Sequence, residues 1–182
     1  MDYFDTYKTF LKSKYNYDVE IRETQIIDEN EQYVYSLIKN GIEQANIDFL
    51  ITNNDKNIEI GIIKRENEGE KGTGKKLLYL ISALAADKGY TLTFSATPIL
   101  GKERYNLSHK EGLKQLIKYY NSLGFNHNEK IPEKFYYKTS TDKLKSIVNE
   151  NMKKGGSKTR KRKTKTKKSK SKSKSKSRKH RE

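Results

Sequence analysis

Three glycines fall within the six residues Gly69 to Gly74, in the order Gly-Glu-Lys-Gly-Thr-Gly, and Lys75-Lys76-Leu77-Leu78 follow at once. The run sits between an apolar segment, Ile58-Glu-Ile-Gly-Ile-Ile63, and a segment with helical spacing. Strand, tight loop and helix N-terminus in that order suit an anion. Glycines let successive N–H groups turn toward one point, and the first amides of the helix add unpaired donors and the positive end of its dipole. The alternative reading is a connecting loop that uses glycine only for flexibility. Other chemistry is sparse. The chain has no Cys, which excludes a disulfide framework, thiolate metal sites and a cysteine nucleophile. His109, His127 and His180 lie far apart without metal-ligand spacing, so no metal is expected.

The elements that must position the loop follow from periodicity. Tyr3, Phe4, Tyr7, Phe10 and Leu11 form a helical stripe. From Tyr17 the period changes to two. Runs at Val19 to Ile27, Tyr33 to Ile38, Ile47 to Ile51 and Ile58 to Ile63 are separated by Asp28-Glu-Asn30, Asn40-Gly41 and Asn53-Asn-Asp55, which reads as an antiparallel meander. Leu77, Leu78, Ile81, Leu84 and Ala85 predict a helix ending at Gly89, and Thr91 to Thr97 the next strand, so a right-handed crossover to a parallel neighbour is expected. Ile99 to Leu107 reads as a loop. Ser108-His-Lys-Glu111 has the form of a capping box opening a helix with Leu113, Leu116, Ile117 and Tyr120 on one face, ending at Gly124. Phe135-Tyr-Tyr137 predicts a strand, and Asp142 to Met152 a last helix. The fold class is α+β (α/β), with a mixed, mostly antiparallel sheet and helices on both faces.

Charge divides the chain. Residues 153–182 hold 13 Lys and 4 Arg against one acid, Glu182, whereas residues 1–152 carry 22 basic and 22 acidic residues. Residues 1–152 therefore read as a neutral domain able to bury a core, and 153–182 as a tail. The tail has no apolar residue to offset ordering entropy and is expected to be disordered. It would bind nucleic acid or another polyanion without sequence preference, or serve only to keep the protein soluble. Arg160-Lys-Arg-Lys163 also has the form of a nuclear-import signal. The chain shows no membrane-span-length apolar run and no secretory signal, so an intracellular location, cytoplasmic or nuclear, is expected.

Two phosphate-binding loops compete for Gly69 to Lys75. A P-loop nucleotide binder fits G-x-x-x-x-G-K, but the next residue must be Ser or Thr to hold Mg²⁺, and it is Lys76. Five polar residues, Lys64 to Glu68, also separate the strand from the loop. The second candidate accounts for more of the chain. Gly72-Thr73-Gly74 opening a helix, a strand after it, and then a helix ending Tyr120-Asn-Ser-Leu-Gly-Phe125 resemble the GNAT-type N-acetyltransferases over about residues 58–125. Their loop reads Q/R-x-x-G-x-G/A, and their later helix ends Y-x-x-x-G-F. Three departures stand out. The family's Arg or Gln falls on Gly69, an Asn frequent before the Tyr falls on Leu113, and the usual two-helix insertion after the first strand is not visible between Ile27 and Tyr33.

The resemblance implies acetyl-CoA as co-substrate and direct attack of an amine, on a small molecule or a protein, upon the acetyl carbonyl. Ile62, Ile63 and Lys64 would offer backbone groups to the pantetheine arm. The amides of Gly69, Glu70, Lys71, Gly72, Thr73, Gly74 and Lys75 would hold the pyrophosphate, with Lys71 or Lys75 supplying charge. Tyr120 would protonate the departing sulfur, although its place on an apolar stripe equally fits a core tyrosine. Glu59, Glu66 and Glu68 lie near enough in sequence to act as a base, and water can relay the proton instead. The same resemblance allows a non-catalytic protein of this fold whose output is nucleic-acid binding through the tail.

Overall fold

Asp2 opens the first helix by accepting the Asp5 N–H on its side chain, and Asn16, at φ +57°, closes it. The helix, α1 (Tyr3–Tyr15), buries Tyr7 and Leu11. Its first amides, on Tyr3 and Phe4, donate to the Asp87 carboxylate at 2.8 and 2.6 Å, which ties the N-terminus to the end of the next helix. The computed structural model describes residues 2–22, 25–27, 30–66, 69–95, 109–125 and 136–156. The tail beyond 156, Glu68, Ile99 to Leu107 and Ser108 lie outside the described residues.

The strands are β1 (Asp18–Arg22), β2 (Ile26–Ile27), β3 (Asn30–Lys39), β4 (Ile42–Thr52), β5 (Asn57–Arg65), β6 (Thr91–Ser95) and β7 (Tyr136–Thr139). They form one sheet in the order β1-β3-β4-β5-β6-β7, with β2 also on β3. The meander is antiparallel through β5. β5 and β6 then pair parallel, joined over the sheet by α2 (Thr73–Lys88), and β7 returns antiparallel. Asn40 and Gly41 take φ +53° and +76°, the left-handed pair that a two-residue hairpin turn needs. Among the described residues only β5 and β6 run parallel, unlike the parallel sheet of a P-loop nucleotide binder.

Alternation along the strands builds the core. Tyr35, Ile47, Phe49, Ile51, Ile58, Ile60, Leu92, Phe94 and Tyr137 are buried on one side. Phe4 of α1 meets Tyr35 there, and Tyr120 of α3 (His109–Ser122) meets Phe94 and Tyr137. α2 crosses the middle, with α4 (Thr141–Gly156) against it. α1, α2 and α4 thus gather on this side. The opposite side carries Gln32, Asn46 and Asp48. α4 runs four residues beyond Met152, so Lys153 and Lys154 belong to the helix rather than to the tail. Basic side chains in a last turn complement the helix dipole. No helix among the described residues is long and apolar enough to cross a membrane.

Candidate functional site

The glycine loop is fastened by a side chain from β4. Gln44, 7% exposed, accepts the Glu70 N–H on Oε1 at 3.0 Å, and its own carbonyl accepts the Glu66 N–H at 3.1 Å. A Cβ on Gly69 would stand 2.1 Å from that carbonyl oxygen, so only glycine lets the loop lie this close to β4. The Arg or Gln of the GNAT loop pattern falls on this position, and the backbone leaves no room for either. Gly72, at φ +89°, precedes the first residue of α2 in a conformation that side chains disfavour. Thr73 is buried and donates its hydroxyl to the Glu70 carbonyl at 2.9 Å.

The accounting of donors narrows the cradle. The Gly69 amide donates to the Glu66 carbonyl at 2.9 Å, the Glu70 amide to Gln44, and the Thr73 amide to the Glu70 carbonyl at 3.4 Å. The amides of Lys71, Gly72, Gly74 and Lys75 have no acceptor among the described residues, and no side chain caps α2. Unpaired donors at a helix N-terminus, with no acid in the first turn, favour an anion. The one acid of the loop, Glu70, is turned aside: its carboxylate accepts from Lys39 Nζ and from the Tyr17 hydroxyl, which hold it below the usual carboxylate range. Lys76 lays its ammonium 4.6 Å from the Tyr15 ring centre and 5.3 Å from that of Tyr17. Burial lowers its pKa, and Glu70 opposes the shift.

Among the described residues, the strand leading to the loop pairs with its neighbour over four positions only. β5 pairs with β6 only from Asn57↔Thr91 to Ile60↔Phe94, while β5 itself continues to Arg65. Against β4 the register slips at the same place: Phe49 faces Ile60 but Asp48 faces Ile62, which leaves Gly61 as the extra residue of a bulge. A bulge bends and twists the strand that carries it, so Ile62, Ile63 and Lys64 leave the β6 side unpaired among the described residues. Ile62 is 60% exposed. Ile63 reaches the loop, since a Cβ on Gly74 would stand 3.2 Å from Ile63 Cγ2. The structure therefore brings Ile62 to Lys64 and Lys71 to Lys75 to one end of α2.

Tyr120 lies at the opening. Its ring centre is 4.9 Å from that of Phe94, the residue at which β5–β6 pairing ends, and 5.3 Å from Tyr137. Burial, and to a lesser degree Tyr119, raises the pKa of its hydroxyl, so the phenol keeps its proton at neutral pH. Gly124, at φ +96°, ends α3 and lets buried Phe125 turn in between Phe94 and Tyr79, with ring centres at 5.4 and 6.5 Å. The Tyr-x-x-x-Gly-Phe spacing is thus a packing device that fixes Tyr120 beside β6. Of the acids named from sequence, Glu59 is exposed, and Glu66 pairs with Lys64 at 3.0 Å and accepts from Asn46 at 3.4 Å.

Solved structures share this arrangement. One, an apo nucleotide-linked sugar GNAT called FdhC, matches with a TM-score of 0.50 at 12% identity, over 66% of this chain and 63% of that one. The chain has the GNAT fold. Also similar are a GNAT-family protein from Desulfovibrio desulfuricans (TM-score 0.46, 10% identity, 68% of this chain and 99% of that one) and the PaiA N-acetyltransferase of Thermoplasma acidophilum in complex with coenzyme A (0.41, 14%, 71% and 65%). The assignment of fold rests on the first. No protein-family model matches the sequence, and no curated protein does.

Within the GNAT fold two features were missed from sequence. Gln44 fixes the loop at Glu70 from a strand 26 residues upstream, and nothing in its neighbours marks it. Asp48 lies at the Gly61 bulge, on the side of the sheet away from the helices, and the glycine in an otherwise β-branched run was the available sign of that bulge.

Proposed function

We propose that the chain is an acetyl-CoA-dependent N-acetyltransferase that moves an acetyl group to a primary amine by direct attack. The observation that carries this reading is the conjunction, among the described residues, of amides without an acceptor at the start of α2 and β5–β6 pairing that ends at Ile60 and Phe94. The residues fit the co-substrate: Lys71, Gly72, Gly74 and Lys75 offer N–H groups to a diphosphate, Lys75 and Lys76 offer charge, and the free edge of Ile62 to Lys64 offers backbone groups to the arm. Acetyl-CoA supplies a thioester that an amine can open. A backbone N–H on that edge polarises the acyl carbonyl, which is stabilisation of charge by a fixed dipole. Tyr120, neutral at physiological pH and held beside the opening, gives its proton to the departing sulfur.

The excess of cations in residues 153–182 supports a second, separable role, in which the tail holds the enzyme on nucleic acid or another polyanion. Isothermal titration with CoA tests the main reading. Binding in the micromolar range is expected. No heat at millimolar CoA, from protein shown to be folded by circular dichroism, overturns it.

A further inference from the structure

On the side of the sheet away from the helices, most carboxylates are already matched to cations. Glu43 takes Arg22 Nη1 at 2.9 Å and Asn46 Nδ2 at 2.7 Å. Glu20 takes Arg22 Nε at 3.5 Å, and Glu66 takes Lys64. Asp48 differs. Among the described residues its two oxygens accept from the neutral Gln32 amide alone, at 3.1 and 3.2 Å, and it has no cationic partner. A half-buried carboxylate with a neutral donor retains attraction for an ammonium group that a paired one has spent.

Its place in the register gives that attraction a use. Asp48 faces Ile62 across the β4–β5 ladder at the bulge, and Ile62 lies two residues past Ile60, where β5–β6 pairing ends among the described residues. The strand beside it carries no side chain at position 61. A Cβ there would lie 3.9 Å from both Asp48 Cγ and Oδ1, so the glycine leaves the carboxylate uncovered toward the opening. Glu59, also without a cationic partner among the described residues, sits on the closed side of the bulge, opposite Leu50 and Thr93 where β5 and β6 are still paired.

We propose that Asp48 is the carboxylate that receives the acceptor, binding its primary ammonium and taking its proton, so that the amine approaches from the side of the sheet opposite the helices. This rests on the acetyl-transfer reading. The proton balance is complete. The ammonium gives one proton to Asp48 and becomes the nucleophile, its nitrogen bonds to the acyl carbon, and the carbon–sulfur bond breaks. The second nitrogen proton is released to water, and the sulfur takes its proton from Tyr120, which recovers one from water. The substrate class is a primary aliphatic amine whose charged nitrogen is its recognised feature, such as a lysine side chain.

The test uses the full chain, acetyl-CoA and n-butylamine, the shortest analogue of a lysine side chain. Asp48→Asn keeps the shape and one acceptor for the Gln32 amide, and is expected to lower kcat/KM for n-butylamine by a hundredfold or more, in the range typical for loss of a proton acceptor, with CoA affinity within twofold of the unaltered protein. Glu59→Gln is expected to stay within threefold. Gly61→Val covers the carboxylate without removing it and should raise KM for the amine at least tenfold, which decides the matter if Asp48→Asn does not fold. Unchanged turnover in Asp48→Asn or Gly61→Val overturns the proposal. So does a protein that binds CoA yet leaves n-butylamine unacetylated. Failure to bind CoA at all sinks the acetyl-transfer reading instead.

Discussion

Replacing Gly69 by Ala isolates the loop from everything else in the site. The new Cβ would stand 2.1 Å from the Gln44 carbonyl oxygen, 3.0 Å from that of Glu66 and 3.1 Å from Arg65 Cγ. The close C···O approaches seen in proteins are about 3.3 Å, so the loop must retreat from β4 by roughly 1.2 Å. That motion stretches three hydrogen bonds: Glu70 N–H to Gln44 Oε1 (3.0 Å), Glu66 N–H to Gln44 O (3.1 Å) and Gly69 N–H to Glu66 O (2.9 Å). At about 1 kcal/mol net for each, the loss is about 3 kcal/mol, which lowers Tm by roughly 6 to 12 °C for a chain of this size. The amides of Lys71 to Lys75 move with the loop, out of the narrow distance range of a hydrogen bond. Losing one or two such contacts to a diphosphate weakens CoA binding by about ten- to a hundredfold. Gly61→Ala is the control, since its Cβ meets Asp48 O at an ordinary 3.6 Å and should cost less than about 1 kcal/mol. Differential scanning calorimetry and CoA titration read both effects. A Gly69→Ala protein within 2 °C of the unaltered Tm and within twofold of its CoA affinity would refute the reasoning.

Tyr120→Phe keeps the ring against Phe94 and Tyr137 and removes only the proton donor, so acetyl transfer should fall by roughly 10² while Tm and CoA affinity hold. An equal loss of CoA binding would make the residue a packing tyrosine only. Burial pushes Tyr35, Tyr79 and Tyr137 up to about 12 from 10.0. The folded state thus holds protons that the unfolded chain releases. Stability from these groups is intact below pH 10 and is lost as pH rises from 10 through 12, by roughly 2 kcal/mol each. Urea midpoints that do not drop between pH 9 and pH 11.5 would contradict this. Removing residues 157–182, which hold 11 Lys and 4 Arg, should abolish binding to single-stranded DNA whose affinity in the full chain falls steeply with salt. CoA affinity should be unchanged, and retained DNA binding by the shortened chain would place that activity elsewhere.

How much of this was readable from the residues depends on the range of the interaction that decides each feature. Asn40-Gly41 and Gly89 act on their own backbone, and both sit at the positive φ their types announce. The strand, loop and helix from Asn57 to Lys88 follow from a change of period around three glycines. The helix end at Gly156 instead of Met152 is a local matter too, but composition placed the boundary where charge begins, and lysines in a last turn do not end a helix. What escaped the reading is tertiary. Gly69 looked like a lost Arg or Gln because a loop motif carries no record of the β4 carbonyl pressed against it. The Glu70 amide was counted among the cradle's donors because its acceptor, Gln44 Oε1, lies 26 positions away on β4. Asp48 was passed over since an acid in an alternating strand is by default a solvated one.

Those misses converge on β4. Gln44 and Asp48 are four residues apart on one strand, about 13 Å at the usual rise. The first fastens the loop whose amides remain open, and the second stands beside the bulge at which β5 turns from β6. A single strand therefore sets both the position of the proposed diphosphate cradle and the position of the proposed amine acceptor, with Gly61 governing the gap between them. Two features of the bulge cannot be separated by moving one residue. It falls where β5–β6 pairing ends among the described residues, and it sets Asp48 opposite Ile62. A change that restores even register between β4 and β5 would close the opening and slide Asp48 back toward paired strand together. This coupling makes the β4–β5 register, more than any one polar side chain, the feature on which the arrangement of the site depends.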